Sequence, residues 1–241
     1  SSVLREDWDG AIQAAKEALQ RWPNDQLVRR AMSETLRLKY RATSDWQSGE
    51  IAIGLLNTAL EIDPTNPKVS EEIARLIGRT AELPEAMKSH LQQQLADGSA
   101  TAVTHLILAN GLLQEGEFDK AIPHLEIALR SAPNSPVVMN NLGIALCRRP
   151  DRHPEDLIRA AELVEQALAV AGPMAEIYDT LGEIRMAEGR PYDAIDAFES
   201  ALSADASRII TRRKLAAAYR AIGLEDMARL HEKLSGEEHS P

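Results

Sequence analysis

The residues of this sequence that could do chemistry are scattered along it. Six histidines, His90, His105, His124, His153, His231 and His239, could ligate a metal or carry a proton. None forms an H-x-x-x-H or H-E-x-x-H pair, the spacing that turns two imidazoles to one helix face for zinc. Cys147 stands alone in an apolar stretch, where a thiol behaves as a small hydrophobe. There is no G-x-S-x-G elbow, no G-x-x-x-x-G-K-S/T loop and no G-x-G-x-x-G turn. The carboxylates Glu162 and Glu165, or Asp193 and Asp196, share helix faces, as solvated acidic faces commonly do, and nothing around them points to a raised pKa. No catalytic residue, metal site or cofactor is expected, and the chain is read as not an enzyme.

The elements that carry these residues follow from composition. Of the 241 residues 44% are hydrophobic, yet only two Phe, three Trp and four Tyr occur, so the core must be made of Ala, Leu and Ile. That favours closely packed helices over strands, which draw on aromatic and β-branched residues. A formal charge of −10 opposes binding to a phosphate backbone. The basic residues near the C-terminus, Arg208, Arg212, Arg213, Lys214 and Arg220, spread around several helix faces and read as a solvated helix. No apolar run reaches the roughly 18 residues of a membrane span. The lone cysteine fits a reducing compartment and favours the cytoplasm, with a periplasmic or membrane-tethered parent left open.

The chain repeats itself. "LGEIRMAEGRPYDAIDAFESALSADAS" (181–207) has the layout of "ANGLLQEGEFDKAIPHLEIALRSAPNSP" (109–136), "REDWDGAIQAAKEALQRWPND" (5–25) and "IAIGLLNTALEIDPTNP" (51–67). Small, large and small residues alternate at intervals of four and three before a breaker: Ala121, Leu125, Ala128 and Pro133, or Ala52, Leu56, Ala59 and Pro64. The breakers Pro23, Pro64, Gly98, Pro133 and Gly172, with Ala206 in the last equivalent place, are spaced 41, 34, 35, 39 and 34 residues apart. A period near 34 that splits into two helices marks a helical solenoid.

On these residues the sequence resembles the tetratricopeptide repeat (TPR) family, over nearly its whole length. The best match is 175–208, through Tyr178, Leu181, Gly182, Gly189, Ala194, Phe198 and Ala201. Residues 102–135 follow, through Leu108, Ala109, Gly116, Phe118, Ala121 and Ala128, and His105 takes a slot where the family has an aromatic. The third unit departs most, with His90 and Gln93 in core positions, although Ala74 and Ala86 fit. Two units carry insertions between their helices, near 41–50 and 148–156.

The resemblance implies an all-α fold, a right-handed α-α superhelix (TPR solenoid) of about 13 helices forming one domain over 1–241. A truncated repeat, 1–25, precedes repeats 26–66, 67–101, 102–135, 136–174, 175–208 and 209–236 and a tail 237–241. Helices are expected at 7–21, 26–40/47–62, 67–80/83–96, 101–115/118–131, 136–147/155–170, 174–188/191–204 and 208–222/225–235. Pro123 requires its helix to start late, near Asp119. Gly182 is expected to face Ala194 so that two backbones approach closely, and Glu199 to lie on the outer face. In this register Ser1 falls at the tenth position of a unit. The parent protein is therefore expected to continue upstream, and the face of Ala11, Ala15 and Ala18 to fray or to bury against another copy.

By the same resemblance, a partner would lie on the concave wall lined by the first helix of each repeat, at its second, fifth, ninth, twelfth and thirteenth positions. The middle of that wall is apolar with amides: Val103, Leu106, Asn110, Leu113, Gln114, Val137, Asn140, Ile144, Cys147 and Arg148. The earlier wall is charged, with Glu71, Arg75 and Arg79. The later one is acidic at Glu176, Asp179 and Glu183, then basic at Arg213 and Arg220. Asn side chains both donate to and accept from an extended peptide backbone. The candidate peptide groove is thus Arg75, Arg79, Leu106, Asn110, Leu113, Val137, Asn140, Asn141, Ile144, Asp179, Glu183 and Arg213. The same apolar residues could simply pack between neighbouring first helices. One TPR subclass clamps a C-terminal carboxylate with Lys, Asn, Asn, Lys and Arg. Asn110 and Asn141 match it, but Leu106, Glu176 and Thr180 replace the basic residues, which argues against that ligand. The expected function is a protein- or peptide-binding scaffold. A self-assembly module, or the regulatory TPR domain of a longer enzyme or membrane-anchored protein, is the alternative.

Overall fold

A computed structural model describes residues 7–42, 49–78 and 85–236. Arg79, His239 and the tail 237–241 lie outside the described residues, as do the side chains of Ala52, Glu71, Ala74, Ala86 and His90. The fold class is all-α. Thirteen helices are described: α1 (Trp8–Arg21), α2 (Gln26–Ala42), α3 (Gly49–Ile62), α4 (Pro67–Gly78), α5 (Glu85–Asp97), α6 (Ala102–Gln114), α7 (Phe118–Ser131), α8 (Pro136–Arg148), α9 (Pro154–Ala171), α10 (Ala175–Ala187), α11 (Pro191–Ala204), α12 (Ile209–Ala221) and α13 (Glu225–Leu234). None of them is long and apolar enough to cross a membrane. The chain divides into two compact units, Ser1–Val138 and Met139–Pro241.

In the first unit, α1 starts at an Asp7 side chain that accepts the Gly10 N–H at 2.9 Å, the usual remedy for an unpaired amide at a helix start. Ala11 is exposed and Ala15 and Ala18 are half-buried, so α1 holds no buried residue. The turn after α3 is clamped onto α2. Buried Asp63 forms an ion pair with Arg30 and accepts the Thr65 hydroxyl at 2.8 Å, while Asn66 donates to Ser33 at 3.0 Å. Further on, Ala109 of α6 and Ala121 of α7 are both fully buried, which lets these helices pack closely. α7 begins at Phe118, close to the late start required, and Pro123 stands in its second turn, so the helix forgoes one amide there.

In the second unit the close approach falls on glycine. A β-carbon on Gly143 of α8 would come 2.5 Å from Val164 Cγ2 of α9. On Gly182 of α10 it would meet the ring of Phe198. The atoms nearest that position are therefore those of Phe198, because the large residue one turn beyond Ala194 on α11 reaches back over the gap. Ala194, Ile195, Phe198, Leu215, Ala216, Ala218, Tyr219 and Ala228 then form one core cluster across α11, α12 and α13.

The turn from first to second helix recurs in both units. Gly189 has φ 73°, which an L side chain rarely adopts, and Arg190 N–H closes the turn on Arg185 O at 2.8 Å. Glu117 to Leu112 at 2.8 Å, beside Gly116, and Leu224 to Tyr219 at 3.0 Å, beside Gly223, repeat that bond.

Candidate functional site

The first helices of the second unit, α8, α10 and α12, are tied together by charge. Arg148 of α8 donates to both Glu183 oxygens, Nε at 2.8 Å and Nη2 at 2.7 Å, a bidentate fork suited to guanidinium and carboxylate. Lys214 of α12 forms ion pairs with both Glu183 and Asp179. Asp179, only 8% exposed, also accepts the Thr211 hydroxyl at 2.7 Å, and Arg208 reaches Glu176 at 2.9 Å. The acidic wall is thus matched cation for anion. Asp179 and Glu183 serve as cross-helix ties, whereas the sequence alone presents them as open wall charges. Arg213, on the same helix as Lys214, is exposed.

The amides and apolar residues of α8 lie beside this lattice in sequence. Asn140 is 9% exposed, and its Oδ1 has no hydrogen-bond partner among the described residues. Asn141 and Ile144 are half-buried. Cys147 is buried, and its thiol is pushed up to about 11, first by burial and then by the Glu183 charge. It is no nucleophile at neutral pH.

In the first unit, Leu106 is fully buried and belongs to the core rather than to a groove floor. Asn110, Leu113 and Val137 are half-buried. Arg75 donates to Glu72 at 3.1 Å, and the same buried carboxylate holds Arg37 at 3.3 Å and Arg41. Sequence reasoning left out Glu72 and read Lys214 as part of a solvated helix, whereas both occupy the sixth position of their repeats and are held in ion pairs. These two residues pair with the preceding first helix, so the register, extended by one place, would have found them. Among the described residues no group of three or more His, Cys, Asp or Glu is arranged to hold a metal ion.

Paired helices of about thirteen residues, joined by a glycine turn and packed through a small residue against a large one, define an all-α helical-repeat protein. The tetratricopeptide repeat family model matches residues 107–152, so the chain carries a tetratricopeptide repeat there. Among solved structures it is similar to MamA from Desulfovibrio magneticus RS-1, from residue 41 to its end. The TM-score is 0.54 at 16% identity, over 69% of this chain and 93% of that one. MamA of strain MSR-1 gives a TM-score of 0.52 at 21% identity, over 66% of this chain and 90% of that one. At such identities the likeness concerns the fold. No curated protein sequence matches the chain. The class is one of protein-interaction scaffolds.

Proposed function

We propose that this chain grips an extended segment of a protein partner along the first helices of its repeats, without catalysis. The single observation that carries the reading is the Asn140 carbonyl oxygen, buried and unpartnered on α8. A buried acceptor without a donor is costly, and turning the side chain outward to a peptide N–H would satisfy it. Half-buried Ile144, one turn on, offers an apolar contact beside it. Asn141 and the exposed Arg213 complete the set in the second unit. Arg75, Asn110, Leu113 and Val137 make the corresponding set in the first, while Arg79 lies outside the described residues. The repeat boundaries at 26, 67, 102, 136, 175 and 209 are part of this proposal.

Affinity capture from the source lysate tests it. Asn140→Ala removes the orphan acceptor, so it folds at least as stably as the parent chain and loses the main captured partner. Capture at the parent level would overturn the reading. Self-association is the second reading, favoured by the exposed Leu224, Met227, Leu230 and Leu234 on and beside α13. Light scattering over a concentration series separates the two, since only self-association grows with concentration.

A further inference from the structure

His105 of α6 and His124 of α7 meet ring to ring within their hairpin. Their Nδ1 atoms are 2.8 Å apart and their ring centroids 5.1 Å apart. His105 is 7% exposed and His124 half-buried. At this separation one Nδ1 carries a hydrogen and the other offers its lone pair, so the two rings hold opposite tautomers. A first proton enters at the Nε2 of the donor ring, and the bond survives with charge assistance. A second proton has only the accepting Nδ1 to occupy. It removes the acceptor and leaves two cations side by side in a half-buried setting.

We propose that the His105–His124 pair is an acid-sensitive latch, which holds α6 against α7 while the pair carries at most one added proton and releases the hairpin when both rings are protonated.

The surroundings oppose protonation. Burial is the leading cause for both rings, and at His105 the His124 and Arg130 charges add to it. Asp119, Lys120, Glu126 and Arg130 are the other charged residues of α7, and Arg130 is the one among them that bears on His105. α3, α4 and α5 also pack on α6. From α3 the neutral Asn57 accepts the Val103 N–H at 3.4 Å, and from α5 Gln94 accepts the Thr104 hydroxyl at 2.6 Å. On α4, Glu72 and Arg75 are tied to each other. Both histidine pKa values are therefore lower in the folded chain than in the unfolded one, where they lie near 6.5. The unfolded chain takes up protons first. The stabilisation is full above about pH 6.5 and is lost as pH falls from there through the folded values.

Hydrogen exchange on the full chain at pH 7.5 and pH 5.0, corrected for intrinsic rates, tests the latch. Protection of 102–131 should fall by about tenfold or more at the lower pH, while 175–204 keeps its protection. His105→Phe fills the site with a non-titrating ring and should remove the fall. His124→Gln, which leaves one imidazole and a neutral partner, should do the same if the first variant fails to fold. An unchanged wild-type hairpin at pH 5.0, or an equal fall in a folded variant, would overturn the proposal.

Discussion

Phe198 lays its ring over the α-carbon of Gly182, so that a β-carbon there would come 2.5 Å from Cδ1 and 2.7 Å from Cζ. The ring is fully buried and packed within the core cluster of α11, α12 and α13. Gly182→Ala should therefore destabilise the chain by about 1–3 kcal/mol through overpacking, despite the gain of up to about 1 kcal/mol in helix propensity. Gly111, inside α6, has nothing within 4 Å of its would-be β-carbon. Gly111→Ala should instead stabilise by about 0.5–1 kcal/mol. Urea denaturation midpoints decide, and like signs for the two substitutions would refute the packing account.

The tie between Arg148 and Glu183 should be visible as coupling. A double-mutant cycle with Arg148→Met and Glu183→Gln should give about 0.5–1 kcal/mol at low salt and less at 1 M salt, because the pair is partly exposed and screened. Replacing Asp179 and Glu183 together by Lys would set two new cations against Arg148, Lys214 and Arg208. The melting temperature should fall, and any change in partner must be judged after that loss.

Glu199 is not an idle surface residue. The buried Tyr219 donates its hydroxyl to Glu199 Oε1 at 2.5 Å, and the phenol is pushed up to about 12, by burial first and then by this bond and the carboxylate charge. Glu199→Ala should cost about 0.5–1.5 kcal/mol and bring the Tyr219 titration down towards 10. Ultraviolet titration of tyrosinate absorbance reads the second effect, and an unmoved titration would show that burial alone sets it.

Cys147 should be inert in the native chain. With its thiol held near 11 by burial, reaction with a disulfide reagent at pH 8 should proceed only after denaturant is added. Rapid labelling of the folded protein would place the thiol at the surface.

What the sequence determined alone was whatever repeats or acts locally. The period near 34, the paired helices, the turn glycines at Gly116 and Gly189 and the all-α class all follow from small residues, breakers and helical spacing within a few turns of chain. The same register put Asn140 among the expected wall residues, and the proposed function rests on it. The tertiary structure decided how side chains meet across helices. The Phe198 ring covers Gly182, and Leu106 sinks into the core. Glu72 and Lys214 knit neighbouring first helices, and His105 finds His124 nineteen residues away. Such pairings depend on the rotation of each helix about its axis and on the rotamers that fill the gap between helices. Both are settled only when the helices pack together, so no spacing along one chain segment encodes them.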